Sequence, residues 1–245
     1  MNTLVGISYS PWSEKAKWGL QLSGLPFRYQ EYMPMLGEPA LRVRLRRPRG
    51  KVTVPILFTP DGPIGDSLAI VEWASAHAPH AIIPPELRDA IAAWNARSER
   101  ALALGRERTT THVARDPEAL VESVPGFMGK LGPLSRAIGK VGVRYLERKY
   151  AFSKQDDEAR VEELREILTT LRTALAGGDH LLGSTLTYAD ITMAVGMQFI
   201  SPPDRIRVGK RSRVHWTVPE LVAEFPDLIA WRDRLYAAHR RPTKP

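Results

Sequence analysis

Leu4-Val5-Gly6-Ile7-Ser8-Tyr9-Ser10-Pro11-Trp12-Ser13-Glu14-Lys15-Ala16-Lys17-Trp18 is the stretch that decides the fold. Its first residues, Leu4 to Tyr9, are apolar and β-prone. Pro11 then falls where a first-turn proline opens a helix, because its fixed φ suits the position and its missing N–H is not needed there. Ala16, Leu20 and Leu22 continue that helix and Gly24 stops it. A strand that passes directly into a helix is the start of an α/β unit.

Working outward, Phe27 to Met33 alternates aromatic with polar residues as a strand does. A basic segment from Glu38 to Arg49, helical or irregular, follows. Val54 to Thr59, the turn residues Pro60, Asp61 and Gly62, and Pro63 to Gly65 read as a hairpin. Asp66 to His77, with Leu68, Ile70, Val71 and Trp73, reads as a closing helix, giving the order β-α-β-α-β-β-α. Strand signals fade after Pro84 and Pro85, so a boundary is expected between residues 79 and 86. This divides the chain into an α/β domain, 1–79, and an all-helical domain, 86–245. Helices are expected over Leu87 to Arg108, Leu134 to Tyr150, Asp156 to Ala176, Thr187 to Ile200 and Asp227 to His239. Thr187-Tyr-Ala-Asp190 places an acid three residues after a capping threonine. Between Thr109 and Lys140, Pro117, Pro125, Gly126, Gly129, Gly132, Pro133 and Gly139 require short or broken helices.

Composition narrows the chemistry. The 245 residues contain no cysteine, which removes disulfides, thiolate metal sites and cysteine nucleophiles together. The net charge is +8, and Arg42, Arg44, Arg46, Arg47, Arg49 and Lys51 concentrate it. Nucleic acid, an anionic membrane surface, a small anionic ligand or a solvated face each fit such a run. No apolar run is long enough for a membrane span, and the N-terminus lacks a signal-peptide pattern, so a cytoplasmic protein is expected. No phosphate loop, zinc signature or nucleophile elbow occurs. His77 and His80, separated by Pro79 at a helix end, make a poor metal pair, and no metal is expected.

Three local motifs carry a resemblance. Tyr9-Ser10-Pro11-Trp12-Ser13 forms a strand-to-helix turn, Lys51-Val52-Thr53-Val54-Pro55-Ile56-Leu57 puts a proline at the head of a strand-like run, and Gly65-Asp66-Ser67-Leu68 opens the third helix. In this order, followed by a helical half, they resemble the cytosolic glutathione S-transferases with a serine-type active-site turn. The resemblance implies a thioredoxin-like first domain, glutathione as co-substrate, and Ser10 facing the glutathione sulfur, with Tyr9 and Ser13 as rival hydroxyls. It also implies a cis Pro55 that leaves the Val54 main chain to pair with the cysteinyl part of glutathione. Lys51 would meet the glycyl carboxylate, Asp66 and Ser67 the γ-glutamyl end, and Trp12 would lie beside the ligand.

The implied function is transfer of the glutathione thiol to a hydrophobic electrophile, as in detoxification, by a homodimer with no membrane or nucleic-acid partner. Trp12, Trp94, Phe127, Met128, Tyr145, Tyr150, Phe152 and Trp216 offer apolar surface for that electrophile. Glutathione-dependent isomerisation or ether cleavage stays open, whereas reduction through an enzyme mixed disulfide is closed to a chain without cysteine. A non-catalytic scaffold, docking through Arg205, Arg207, Lys210, Arg211 and Arg213, is the alternative of a different class.

Overall fold

A computed structural model describes residues 1–34, 36–78, 81–124, 133–153 and 155–241. Strand β1, Asn2–Gly6, pairs in parallel with β2, Phe27–Glu31, and antiparallel with β3, Ile56–Thr59. β4, Gly62–Gly65, closes the hairpin, and the sheet order is β2-β1-β3-β4. Helices α1, Pro11–Ser23, α2, Glu38–Leu45, and α3, Ser67–His77, complete the expected β-α-β-α-β-β-α order.

Alternation along the strands sorts the core. Leu4 and Leu57, opposite each other in the register, point to one face and bury with Ala16 and Leu20 of α1 and Ile70 and Ala74 of α3. Val5 and Ile56 point to the other face, where they meet Leu41 of α2, Tyr32 and Val52. Period-two alternation is therefore enough to place α1 and α3 on one side and α2 on the other. Helix α1 approaches α3 closely at Gly19, where an added Cβ would lie 2.4 Å from Val71 Cγ2.

The remaining described elements are helical: α4, Arg88–Arg115, α5, Pro117–Glu122, α6, Pro133–Tyr150, α7, Asp157–Ala174, α8, Tyr188–Gly196, α9, Lys210–His215, α10, Pro219–Glu224, and α11, Pro226–His239. The fold class is thus α/β followed by all-α, as expected. Two compact units arise from the chain. One gathers Met1–Ala96, Gly178–Val195 and Arg232–Pro245, and the other Arg97–Gly177 and Gly196–Trp231. In the first, the wholly buried Asp190 carboxylate accepts from the Leu181 and Thr187 amides at 2.7 and 2.8 Å. In the second, Val113, Ala119, Leu120 and Val143 form a core joining α4, α5 and α6.

Several boundaries differ from expectation. β1 ends at Gly6 and does not reach Tyr9, because side chains replace ladder partners beyond it: Ser13 Oγ accepts from Ile7 N and Glu31 Oε1 from Ser8 N. β2 ends at Glu31, short of Met33. α4 continues to Arg115, past the expected stop at Arg108, and Asp116 then caps α5 through Oδ1. The run toward Ile200 tightens after Gly196 into a 3₁₀ turn over Met197–Phe199.

Candidate functional site

The sheet register brings the three motifs to one end of the sheet. Val5, Ile56 and Gly65 form a row across β1, β3 and β4. The next residues at that end are Gly6 on β1, Pro55 before β3 and Asp66 after β4, with Glu31 opposite Gly6 on β2. The β1–α1 turn, the proline loop and the start of α3 therefore converge.

Ser10 is the N-cap residue of α1, in extended backbone conformation, and its half-buried side chain makes no capping hydrogen bond. Its backbone is fixed by Ser10 N donating to Ile7 O at 3.0 Å and by Ser10 O accepting from Glu14 N at 2.9 Å. A serine at this position ordinarily spends its hydroxyl on the helix amides. Here the hydroxyl is left for another acceptor at the positive end of a thirteen-residue helix. Ser13, by contrast, is wholly buried and its Oγ accepts from Ile7 N at 3.0 Å. Tyr9 lies in the turn, not on the strand, and is 38% exposed. Partial burial and the Glu31 carboxylate raise its phenol above the ordinary value.

The Val54–Pro55 peptide bond is cis, as expected from the resemblance. Val54 stands just ahead of β3, and Pro55 is buried. At the start of α3, Asp66 adopts φ 72°, a region costly for a residue with a Cβ, and its Oδ1 accepts from Leu68 N and Ala69 N at 2.8 and 3.2 Å. Ser67 is 1% exposed, and its Oγ has no hydrogen-bond partner. A buried orphan hydroxyl beside a carboxylate and helix amides suits a zwitterionic ligand end.

The basic run is partly consumed by its own surroundings. Arg42 pairs with Glu38 at 2.7 Å and donates to the carbonyl of Gly50, and Arg44 donates to Gln30 while lying 3.6 Å over the Phe58 ring. Arg46, Arg47, Arg49 and Lys51 remain exposed. In the helical half, Arg211 pairs with Asp116, and Arg213 donates to the carbonyls of Pro202, Pro203 and Ile206. Those two arginines brace the fold, which weakens their reading as a docking surface. Trp216 is buried against Phe199, the Tyr145 hydroxyl accepts from Lys149, and Tyr150 lies under Arg106. Phe127, Met128, Pro79 and His80 lie outside the described residues.

Sequence reasoning missed the buried charges behind the turn. Glu14, Lys15 and Lys17 of α1 are nearly or wholly buried. Lys15 Nζ donates to Asn95 Oδ1 at 3.4 Å, and Glu14 pairs with Arg240 and Lys17. Burial pushes the Lys17 ammonium below its ordinary value against the pull of Glu14. A charged triplet inside a helix whose apolar face is already known is the signal that could have marked these partners. Among the described residues no cluster of three or more His, Asp or Glu could hold a metal ion, and no helix is long and apolar enough to cross a membrane.

Residues 9–77 match the family described as "Glutathione S-transferase, N-terminal domain", and residues 134–238 match "Glutathione S-transferase, C-terminal domain". No curated protein matches the sequence. Among solved structures, the chain is similar to a glutathione S-transferase from Methylobacillus flagellatus with glutathione bound, at 14% identity and TM-score 0.58, covering 98% of this chain and 96% of that one. It is similar to one from Ceriporiopsis subvermispora in complex with glutathione, at 17% identity and TM-score 0.59, covering 100% and 99%. A third, from Rhodospirillum rubrum, shares 20% identity at TM-score 0.59, covering 99% and 89%. At these identities the likeness is one of fold.

Proposed function

The chain belongs to the cytosolic glutathione S-transferase family, and we propose that it binds glutathione, stabilises its thiolate with Ser10 and transfers it to a hydrophobic electrophile. The observation that carries this reading is the Ser10 hydroxyl, uncommitted to its own helix at the start of α1.

A free thiol ionises near ~8.5, so a shift of about two units needs ~2.7 kcal/mol of preference for the anion. One hydrogen bond to a charged acceptor contributes ~1.5–3 kcal/mol, and a helix N-terminus adds ~0.3–1 kcal/mol. The two together reach the required magnitude. The thiol proton leaves to solvent, the Ser10 O–H donates to sulfur, and the sulfur lone pair forms the new S–C bond as the electrophile's leaving group departs with its electron pair.

The remaining ligand contacts follow from the same convergence of loops. The Val54 main chain, next to the buried Pro55, would pair with the cysteinyl unit. Asp66 would accept from the γ-glutamyl ammonium, Ser67 would donate to the neighbouring carboxylate, Lys51 would face the glycyl carboxylate, and Trp12 would flank the ligand. Residues 1–79 would thus bind glutathione and residues 86–245 supply apolar surface for the electrophile. We read the enzyme as a cytoplasmic homodimer acting in detoxification. Retention on immobilised glutathione, followed by conjugation of a panel of aryl and alkyl halides, tests the reading. A protein that ignores glutathione yet binds polyanions would favour the scaffold.

A further inference from the structure

Arg240 follows the last helix and turns back onto the first. Its guanidinium meets Glu14 at two points, Nε to Oε1 at 2.8 Å and Nη2 to Oε2 at 3.0 Å, and it also donates to Gln21 and to the Arg241 carbonyl. Arg240 is 6% exposed and Glu14 2%. The same Glu14 carboxylate holds Lys17 Nζ at 3.3 Å, and Lys17 Nζ reaches the Ser8 carbonyl at 3.4 Å. Ser8 is gripped from the other side by Glu31, which accepts from its N–H at 2.9 Å.

We propose that Arg240 is a positioning residue for the Tyr9–Ser10 turn, acting through Glu14 and Lys17 on the Ser8 carbonyl and offsetting the carboxylate charge behind the turn. The Arg240 and Lys17 cations offset the Glu14 and Glu31 carboxylates, so the cluster is balanced. The groups that face Lys17 are Glu14 on its own helix, Arg240 beyond α11, and Tyr29 and Glu31 on β2, with the Tyr29 ring 4.9 Å from Nζ. Removing the Arg240 charge leaves the cluster with one excess negative charge and releases Glu14 to draw Lys17 off the Ser8 carbonyl. The inference rests on the transferase reading only where it concerns the sulfur. The grip on the turn is a property of the free protein.

The test uses the full chain as R240M, which keeps length without charge, R240K, which restores charge, and K17M. Hydrogen exchange in the free protein reads the Ile7, Ser8 and Ser10 amides, which are held by Ser13, Glu31 and the Ile7 carbonyl. R240M and K17M should speed their exchange about tenfold relative to the β1–β3 ladder amides, and R240K should restore protection. With glutathione bound, thiolate absorbance against pH should show the thiol ionising about half a unit higher in R240M, about a threefold weaker acid, and near wild type in R240K. Unchanged turn exchange in R240M, or an R240K variant no better than R240M, overturns the proposal. Wild-type protein that takes no glutathione overturns the transferase reading, and the exchange data still decide the role of Arg240.

Discussion

Ser13 Oγ accepts a hydrogen bond from the backbone N–H of Ile7 at 3.0 Å, tying the exit of β1 to the first turn of α1. The bond leaves no room at Gly6, where an added Cβ would lie 2.7 Å from the same oxygen. Ser13→Ala leaves the Ile7 amide without its partner, which should lower unfolding stability by ~1–3 kcal/mol in urea titrations. The glutathione thiol should ionise as in wild type, a split between stability and chemistry that distinguishes Ser13 from Ser10.

Ser67 makes the opposite case. Its Oγ is buried without a partner, so Ser67→Ala removes a desolvated hydroxyl at no cost in contacts. Stability of the free protein should hold or rise slightly, while calorimetric affinity for glutathione should fall about tenfold or more. Unchanged affinity would remove Ser67 from the ligand contacts.

Gly19 permits the approach of α1 to α3, with Val71 Cγ2 and Cγ1 only 2.4 and 2.9 Å from where a Cβ would stand. Gly19→Ala should cost ~1–2 kcal/mol, because overpacking outweighs the gain in helix propensity. The double variant with Val71→Ala should cost less than the sum of the two single changes, and a thermodynamic cycle measures that coupling.

Asp116 contributes a pH-dependent term. A hydrogen bond with His215, Nε2 to Oδ2 at 2.8 Å, is the main cause that holds its carboxyl well below the ordinary range, with the Ala119 amide, Arg211 and the Glu118 amide adding. A carboxyl depressed in the folded state contributes stability that is fully present above its unfolded pKa of ~3.9 and is lost as pH falls through the folded value. Asp116→Asn keeps the cap but not the charge. Urea titrations should show a wild-type advantage at about pH 5 that narrows below about pH 4. An advantage that widens below about pH 4 would contradict the assignment.

Much of the fold was legible because it is local. Pro11 and Gly24 bracket α1, Leu4 and Val5 sort the two faces of the sheet, and Gly62 turns the hairpin at φ 131°. The end of β1 was not legible, since Gly6 stops the strand only because Ser13 and Glu31 supply partners to Ile7 and Ser8. The basic run fits several partners alike in the sequence, and only the folded chain places Glu38, Gln30 and Phe58 beside Arg42 and Arg44. Most distant of all is Arg240, 226 residues from the Glu14 it neutralises. No window or periodicity joins two such positions. Tertiary packing alone does.

The central claim is that Ser10 stabilises a foreign thiolate, and the ionisation of enzyme-bound glutathione in wild type and Ser10→Ala tests it most directly. The thiol should ionise about two units below its free value of ~8.5 in wild type and return most of the way in the variant. Turnover should fall at least tenfold, while glutathione affinity at about pH 6, below both ionisations, changes little. A Ser10→Ala protein whose bound thiol and turnover match wild type would contradict the account.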